Sequence, residues 1–271
     1  MRNKILIACL SSAMIAVGCS RNAITGKNQL SLVSESEMQN MAKTQYRQFL
    51  SENKVVSSSN NRDAEMVRRV GTRISNAITK YYTAQGKGSE LAGYQWEYNL
   101  VDNPQANAWC MPGGKIVVYT GLFPITQNEA ALAVVMGHEI AHALAKHGSE
   151  RMSEGLLQQF GQVALAVAVS NKPAETQNLF LNAYGIGTQV GFALPHSRNQ
   201  ESEADKFGLR FTAMAGYNPR EAISLWERMK MASNGNRPPE FLSTHPGEDR
   251  RIADLNAIMD ETIKDYYRPL R

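Results

Sequence analysis

The chain has 271 residues, 43% of them hydrophobic and 20% charged, with a formal net charge of +4. That composition belongs to an ordinary globular protein. The charge is too close to neutral for a nucleic-acid partner, and no basic run carries interleaved aromatics. Three cysteines cannot build a disulfide framework.

Residues 1–18 read as a processing segment. Arg2 and Lys4 form a basic start, and Ile5 to Val17 is an apolar run too short to span a bilayer. The run closes on Gly18-Cys19, which resembles a bacterial lipoprotein signal with Cys19 as the lipidated residue. A plain signal peptide cleaved nearby is the alternative. Loss of the leader discards Cys9 and leaves 27 basic against 25 acidic residues, a net charge of +2. Cys110 is then the one free thiol, expected as a small buried hydrophobe.

Residues 19–34 read as a tether onto a single domain, 35–271. Ser34 and Glu37 have capping-box spacing and open a helix over 35–51. Residues 53–61 read as a loop. A second helix over 62–82 carries Val67, Val70, Ile74 and Ile78 in one stripe, a core face. Alternation from Tyr94 to Val101 predicts a strand. Short strands at 107–111 and 115–119 flank Pro112-Gly113-Gly114. Together these predict a small antiparallel sheet, with an edge on which an extended peptide could pair.

Thr126 and Glu129 predict a helix start near Gln127. That helix carries His138-Glu139-Ile140-Ala141-His142. Residues i and i+4 share a helix face, so His138 and His142 can turn two imidazoles toward one metal ion. Glu139 lies close to that face and suits a general base. The surrounding side chains are apolar nearly all round, which marks a buried helix. Two histidines and a glutamate are costly to bury without a partner, and a metal supplies one. The bland alternative, an exposed polar helix, does not fit that setting.

Helical patterns continue over 149–170, apolar from Val163 to Val169, and over 174–192. A further helix opens near Ser197-Arg198. In it Glu201 and Asp205 are four apart and share a face. Glu201 suits the third metal ligand, and Asp205 suits the acceptor that orients a ligand histidine. Glu203 turns about 200° away from Glu201 and reads as a solvated residue whose loss is silent. Helices over 219–232 and 248–265 follow, separated by Pro238-Pro239 and Ser243-Thr244-His245-Pro246.

These motifs together resemble peptidase family M48, the zinc endopeptidases that include HtpX, CAAX prenyl and mitochondrial Oma-type proteases and bacterial periplasmic lipoproteins. The likeness covers residues 60–260. It rests on Asn107-Ala108-Trp109 with Pro112-Gly113-Gly114, on the histidine motif, on Ser197-Arg198 with Glu201 to Asp205, and on Ser243-Thr244-His245-Pro246. The resemblance implies an α+β, mostly helical zincin-type fold. It implies one Zn²⁺ per chain on His138, His142 and Glu201, and Glu139 as base. It also implies that a lipidated member without transmembrane helices acts on envelope proteins in quality control or outer-membrane assembly. With Cys19 as the anchor, the expected place is the cell envelope, on the outer membrane and facing the periplasm. Trp109 stands where Phe is commoner, and His196 where Tyr is commoner. No tetratricopeptide-like segment follows residue 265, so a bare peptidase domain is expected.

The expected chemistry is zinc-assisted peptide hydrolysis with Glu139 moving the proton. His245 and Arg198 are the candidate donors to the oxyanion, with His196 behind them. The rival reading is a zinc-stabilised scaffold that holds unfolded envelope proteins through the hydrophobic 156–169 region. Four protein ligands would favour the scaffold, and three ligands with a base favour the enzyme.

Overall fold

The structure, a computed structural model, describes residues 18–160, 173–186, 197–233, 239–245 and 248–269. Residues 1–17 of the expected leader, Val163 to Val169 and His196 lie outside the described residues. The apolar stretch invoked for a scaffold is therefore described only as far as residue 160.

Residues 19–34 are folded onto the domain. β1 (Cys19–Arg21) and β2 (Asn28–Leu30) pair antiparallel as a hairpin. Its turn is built by Asn22, whose side-chain oxygen accepts from the backbone N–H groups of Ile24 and Thr25. The Asn22 amide donates to the carbonyl of Leu144, 3.0 Å away. The hairpin thereby satisfies a carbonyl that the end of another helix leaves open.

α1 (Glu35–Glu52) starts at Ser34 with both halves of the capping box in place. β3 (Val55–Val56) lies inside the segment expected as a loop. α2 (Arg62–Ala84) is capped by Asn61 and buries Val67, Val70, Ile74 and Ile78. Then come β4 (Glu97–Val101), β5 (Ala108–Met111) and β6 (Lys115–Tyr119). The strand order is β3-β4-β6-β5. Three strands were expected to run antiparallel, but β4 and β6 pair in parallel. The break at Asn103-Pro104 is the cause. It carries the chain past the end of β6, where the Gly121 N–H donates to the Asn103 carbonyl. A Cβ at Gly121 would lie 2.2 Å from the Pro104 carbonyl oxygen. β5 thus becomes the edge, and its hairpin returns β6 between the other two.

Both faces of the sheet are covered. Leu100, Ile116 and Val118 join a core with α2 and the helices beyond, while Val101, Val117 and Tyr119 join a second core with Met38, Tyr46 and Met152. The period of two along β6 sends alternate side chains to the two cores. Cys110 is free and buried in the first. Burial pushes its thiol well up, so it is an inert hydrophobe.

α3 (Phe123–Thr126) is a single turn, and α4 (Glu129–Leu144) follows. Thr126 ends α3 and does not cap α4. Gln127 adopts φ 62°, which turns the chain, and Asn128 caps α4 by accepting from the Ala131 N–H. Every residue from Ala131 to Leu144 is buried. α5 (His147–Phe160) and α6 (Pro173–Ala183) come next. α7 (Arg198–Met214) opens on a capping box of Ser197 and Gln200. α8 (Glu221–Ser233), α9 (Glu240–Thr244) and α10 (Glu248–Tyr266) complete the chain. Among the described residues, no helix is long and apolar enough to cross a membrane.

α4 and α7 cross at two glycines. A Cβ on Gly137 would lie 2.8 Å from the Gly208 carbonyl, and one on Gly208 would lie 2.8 Å from the His138 backbone. This approach sets Glu201 beside the histidine pair. Thr212 locks it by donating its hydroxyl to the Ala133 carbonyl at 3.1 Å.

Candidate metal centre

His138, His142, Glu201 and His245 each offer a ligand atom, and these atoms all lie within 4.8 Å of one another. All four residues are buried. The Nε2 atoms of His138 and His142 are 3.0 Å apart. Glu201 Oε1 is 3.2 Å from His142 Nε2, and Oε2 is 3.4 Å from His138 Nε2. His245, at the end of α9, brings Nδ1 to 2.9 Å from Glu201 Oε1 and 3.2 Å from His138 Nε2. The two ring nitrogens of α4 point at the same space as a carboxylate. Two nitrogens and an oxygen are a donor set suited to a divalent metal.

Glu139 stands at the rim of this cluster and is buried. Its Oε1 has no hydrogen-bond partner among the described residues, and His245 Nε2 comes within 3.4 Å of it. Burial pushes the Glu139 carboxyl up to about 8, while His138 pulls it down. A cation beside it would favour the carboxylate form. At His138, burial and Arg251 disfavour the imidazolium, but Asp205 and Glu201 hold its proton and raise the pKa to about 9. That pull is the one a metal exploits when it displaces the proton. The orphaned carboxylate oxygen and the converging nitrogens therefore fit a metal ion.

The two imidazoles are held from behind in different ways. His138 Nδ1 lies 3.0 Å from Asp205 Oδ1. Arg251 on α10 grips Asp205 with two N–H groups, at 2.8 Å and 2.5 Å, and reaches Glu201 Oε2 at 2.6 Å. Its guanidinium also stacks 3.6 Å from the ring centre of Trp226. His142 Nδ1 instead meets His147 Nδ1 at 2.8 Å, and His147 Nε2 meets Glu203 Oε2 at 3.0 Å.

Two expectations are corrected here. Arg198 does not join the cluster: it is exposed at the first residue of α7, and its carbonyl accepts from Arg250. Glu203 does face away from Glu201, but not into solvent. Its side chain is only 10% exposed, and it pairs with His147 and with Lys27 at 2.9 Å. Arg251 and His147 were not anticipated. The five-residue step from His142 to His147 leaves the helix face, and only the turn at Lys146, with φ 59°, folds His147 back.

A small cleft beside the centre is lined by Asn107 and by Ala108 to Cys110 of the edge strand β5. Arg151, Tyr184, Gly185 and Thr244 line it too, together with Glu139, His142 and His245. The Arg151 guanidinium donates to the Ala183 carbonyl, and Gly148 leaves room for the Tyr184 ring. The free space is about 10 Å³, roughly one water molecule.

A histidine pair on one helix, a carboxylate from a helix crossing it and a second buried glutamate at their side form a donor set suited to a divalent metal. Comparison with known proteins gives the chain's family. The sequence model described as Peptidase family M48 matches residues 70–259. The chain belongs to that family. It is 33% identical over 206 residues to "Mitochondrial metalloendopeptidase OMA1" of Saccharomyces cerevisiae, covering 72% of this chain and 57% of that one. It is 37% identical over 197 residues to the Arabidopsis thaliana protein of the same name, covering 71% and 38%. It is 29% identical over 187 residues to "Beta-barrel assembly-enhancing protease" of Escherichia coli, covering 64% and 37%. The chain thus spans about half the length of the curated relatives it matches, or less.

Proposed function

We propose that the protein is a zinc-dependent endopeptidase of the bacterial cell envelope, acting on envelope proteins in quality control. The observation that carries this reading is Glu139 Oε1, buried without a hydrogen-bond partner among the described residues, beside three converging ligand groups. His138, His142 and Glu201 would hold one zinc ion. When bound, zinc polarises a scissile carbonyl and makes a water more acidic. Glu139 takes the proton from the attacking water and passes it to the leaving amine. The substrate backbone pairs with β5, the strand that ends the sheet and lines the cleft, which lays an extended peptide along it. His245 Nε2, facing Glu139, serves as donor to the oxyanion once substrate is in place.

A second reading rests on His245 Nδ1. It lies among the ligand atoms, so four protein groups can close the site. In that state the protein is latent, or a zinc-stabilised scaffold. The narrow cleft between β5 and Tyr184 agrees with a closed resting form. Incubating wild type and Glu139→Gln with envelope extract, then sequencing new peptide termini, separates the readings. The endopeptidase reading expects cleavage by wild type and a loss of about 10²–10⁴ in Glu139→Gln, with bound zinc unchanged. No new termini from the wild type, with or without extract proteins, favours the scaffold.

Localisation follows from the sequence and from the E. coli relative, whose name refers to β-barrel assembly. Residues 1–18 serve as the signal and Cys19 carries the lipid, leaving the domain at the outer membrane facing the periplasm. Its partners are protein substrates, the bilayer through that lipid, and outer-membrane assembly proteins. Cys19→Ala then abolishes lipid labelling and releases the protein from the membrane fraction. Unchanged fractionation and mass would sink the anchor.

A further inference from the structure

The family match begins at residue 70, yet a line of contacts runs from the candidate metal centre back to the N-terminal hairpin. It starts at His142. Nε2 faces Glu201 and His138, so Nδ1 is the nitrogen left for support. Nδ1 meets His147 Nδ1 at 2.8 Å. His147 Nε2 meets Glu203 Oε2 at 3.0 Å, and Glu203 Oε1 meets Lys27 Nζ at 2.9 Å. His142 and His147 are buried, and Lys27 lies in the turn of the β1–β2 hairpin.

The chemistry gives this line one direction. Two ring nitrogens 2.8 Å apart share a single proton. A ligand imidazole offers the lone pair of Nε2, so neutral His142 carries its proton on Nδ1 and donates it to His147. His147 Nδ1 must then be the acceptor, and its own proton sits on Nε2. That proton is donated to Glu203, which must be a carboxylate, and Lys27 favours that charge. Reversing the bond to Glu203 would set two N–H groups against each other, and reversing the bond to His142 would put its proton on Nε2, where the lone pair for a metal is needed.

We propose that His147 is a positioning residue for His142, and that Glu203 and Lys27 fix its tautomer, so the docked N-terminal hairpin helps to set the metal centre. This rests on the reading of His142 as a ligand. The hairpin reaches the same helix end by other bonds. Asn22 donates to the Leu144 carbonyl, and the Leu32 N–H donates to Ser153 on α5. Lys27 therefore completes a surface that is already docked, and its own task is electrostatic.

The test uses the purified protein, with zinc affinity read by chelator competition and the visible spectrum read after cobalt(II) loading. His147→Leu should weaken zinc binding about 10–100-fold and alter the cobalt spectrum. His147→Asn, whose amide oxygen can accept from His142, should restore most of the affinity. The decisive variant is the exchange Lys27→Glu with Glu203→Lys. It keeps an ion pair between hairpin and α7, but the ammonium now carried by α7 would donate to His147 and reverse its tautomer. A purely structural salt bridge predicts that the exchange binds zinc like the wild type. The present inference predicts a loss of about tenfold or more with thermal stability kept. Wild-type zinc affinity in the exchange variant overturns it, and so does wild-type affinity in His147→Leu. If His147→Leu does not fold, His147→Asn and the exchange decide. His142→Ala separates the two readings. If that variant retains zinc at wild-type affinity, the ligand assignment fails. If it loses zinc while His147→Leu does not, only the positioning role fails.

Discussion

The two histidines of the motif sit one helical turn apart, yet their supports differ in kind. Behind His138 the acceptor is a carboxylate in direct contact, and Asp205 is itself clamped by the buried Arg251. Behind His142 the acceptor is another imidazole, and the charge that finishes the line is Lys27, more than half exposed. The first support is closed within the protein and neutralised there. The second crosses the molecule and ends in solvent. The lesson concerns permanence. A pair desolvated on both sides cannot open without stranding charge, whereas a pair ending in water can open and close at little cost.

The largest expected effect comes from breaking the closed side. Arg251→Met leaves Asp205 and Glu201 buried with no guanidinium between them. Breaking a buried pair by removing one partner costs about 3–5 kcal/mol. The loss should appear in denaturant unfolding of metal-free protein, and should shrink when zinc is added, because the ion replaces part of the lost charge. Equal losses with and without zinc would show that Arg251 serves packing against Trp226 and not the carboxylates. Arg251→Lys should rescue little, since one ammonium cannot grip two carboxylates in the same fork.

Asp205→Asn comes next. The amide oxygen can still accept from His138 Nδ1, but the charge is gone and Arg251 keeps only Glu201 as a carboxylate partner. Zinc affinity should fall about 10–100-fold, with a smaller loss of stability than in Arg251→Met. Retention of full affinity would mean that the charge of Asp205 is dispensable and that an uncharged acceptor, with the packing against Trp226 and Phe241, orients His138.

The part of this arrangement that was legible in the sequence is the part set by local periodicity. An i, i+4 step brings His138 beside His142, and the same step joins Glu201 to Asp205. The i, i+2 step also turned Glu203 correctly away from Glu201. What waits on that other side was not legible, because it is made of a turn at Lys146 and a hairpin more than a hundred residues upstream. Arg251 was missed for a similar reason. An arginine in a charged helix start reads as solvated until the packing of α10 onto α7 is known. Arg198, expected as a donor to the oxyanion, lies at the exposed helix start instead. The parallel pairing of β4 and β6 also escaped. Strand patterns give a face but no neighbour, and the path of residues 102–107 decides the order.

The smallest effect tests the open end. Lys27 is 56% exposed in its side chain, and Glu203 still accepts from His147 when Lys27 is gone. An exposed ion pair contributes about 0–1 kcal/mol, so Lys27→Met should weaken zinc binding by less than about fivefold. The decisive feature is salt. At about 1 M salt the screening length is near 3 Å, and the attraction between Lys27 and Glu203 is then largely lost in the wild type as well. The difference between wild type and Lys27→Met should therefore vanish there. The deficit of Asp205→Asn should survive the same salt, since its partners are buried and poorly screened. Chelator competition on the three proteins at low and high salt reads both outcomes at once. A Lys27→Met deficit that persists in salt, or an Asp205→Asn deficit that salt erases, would remove the distinction between a support closed inside the protein and one that ends in water.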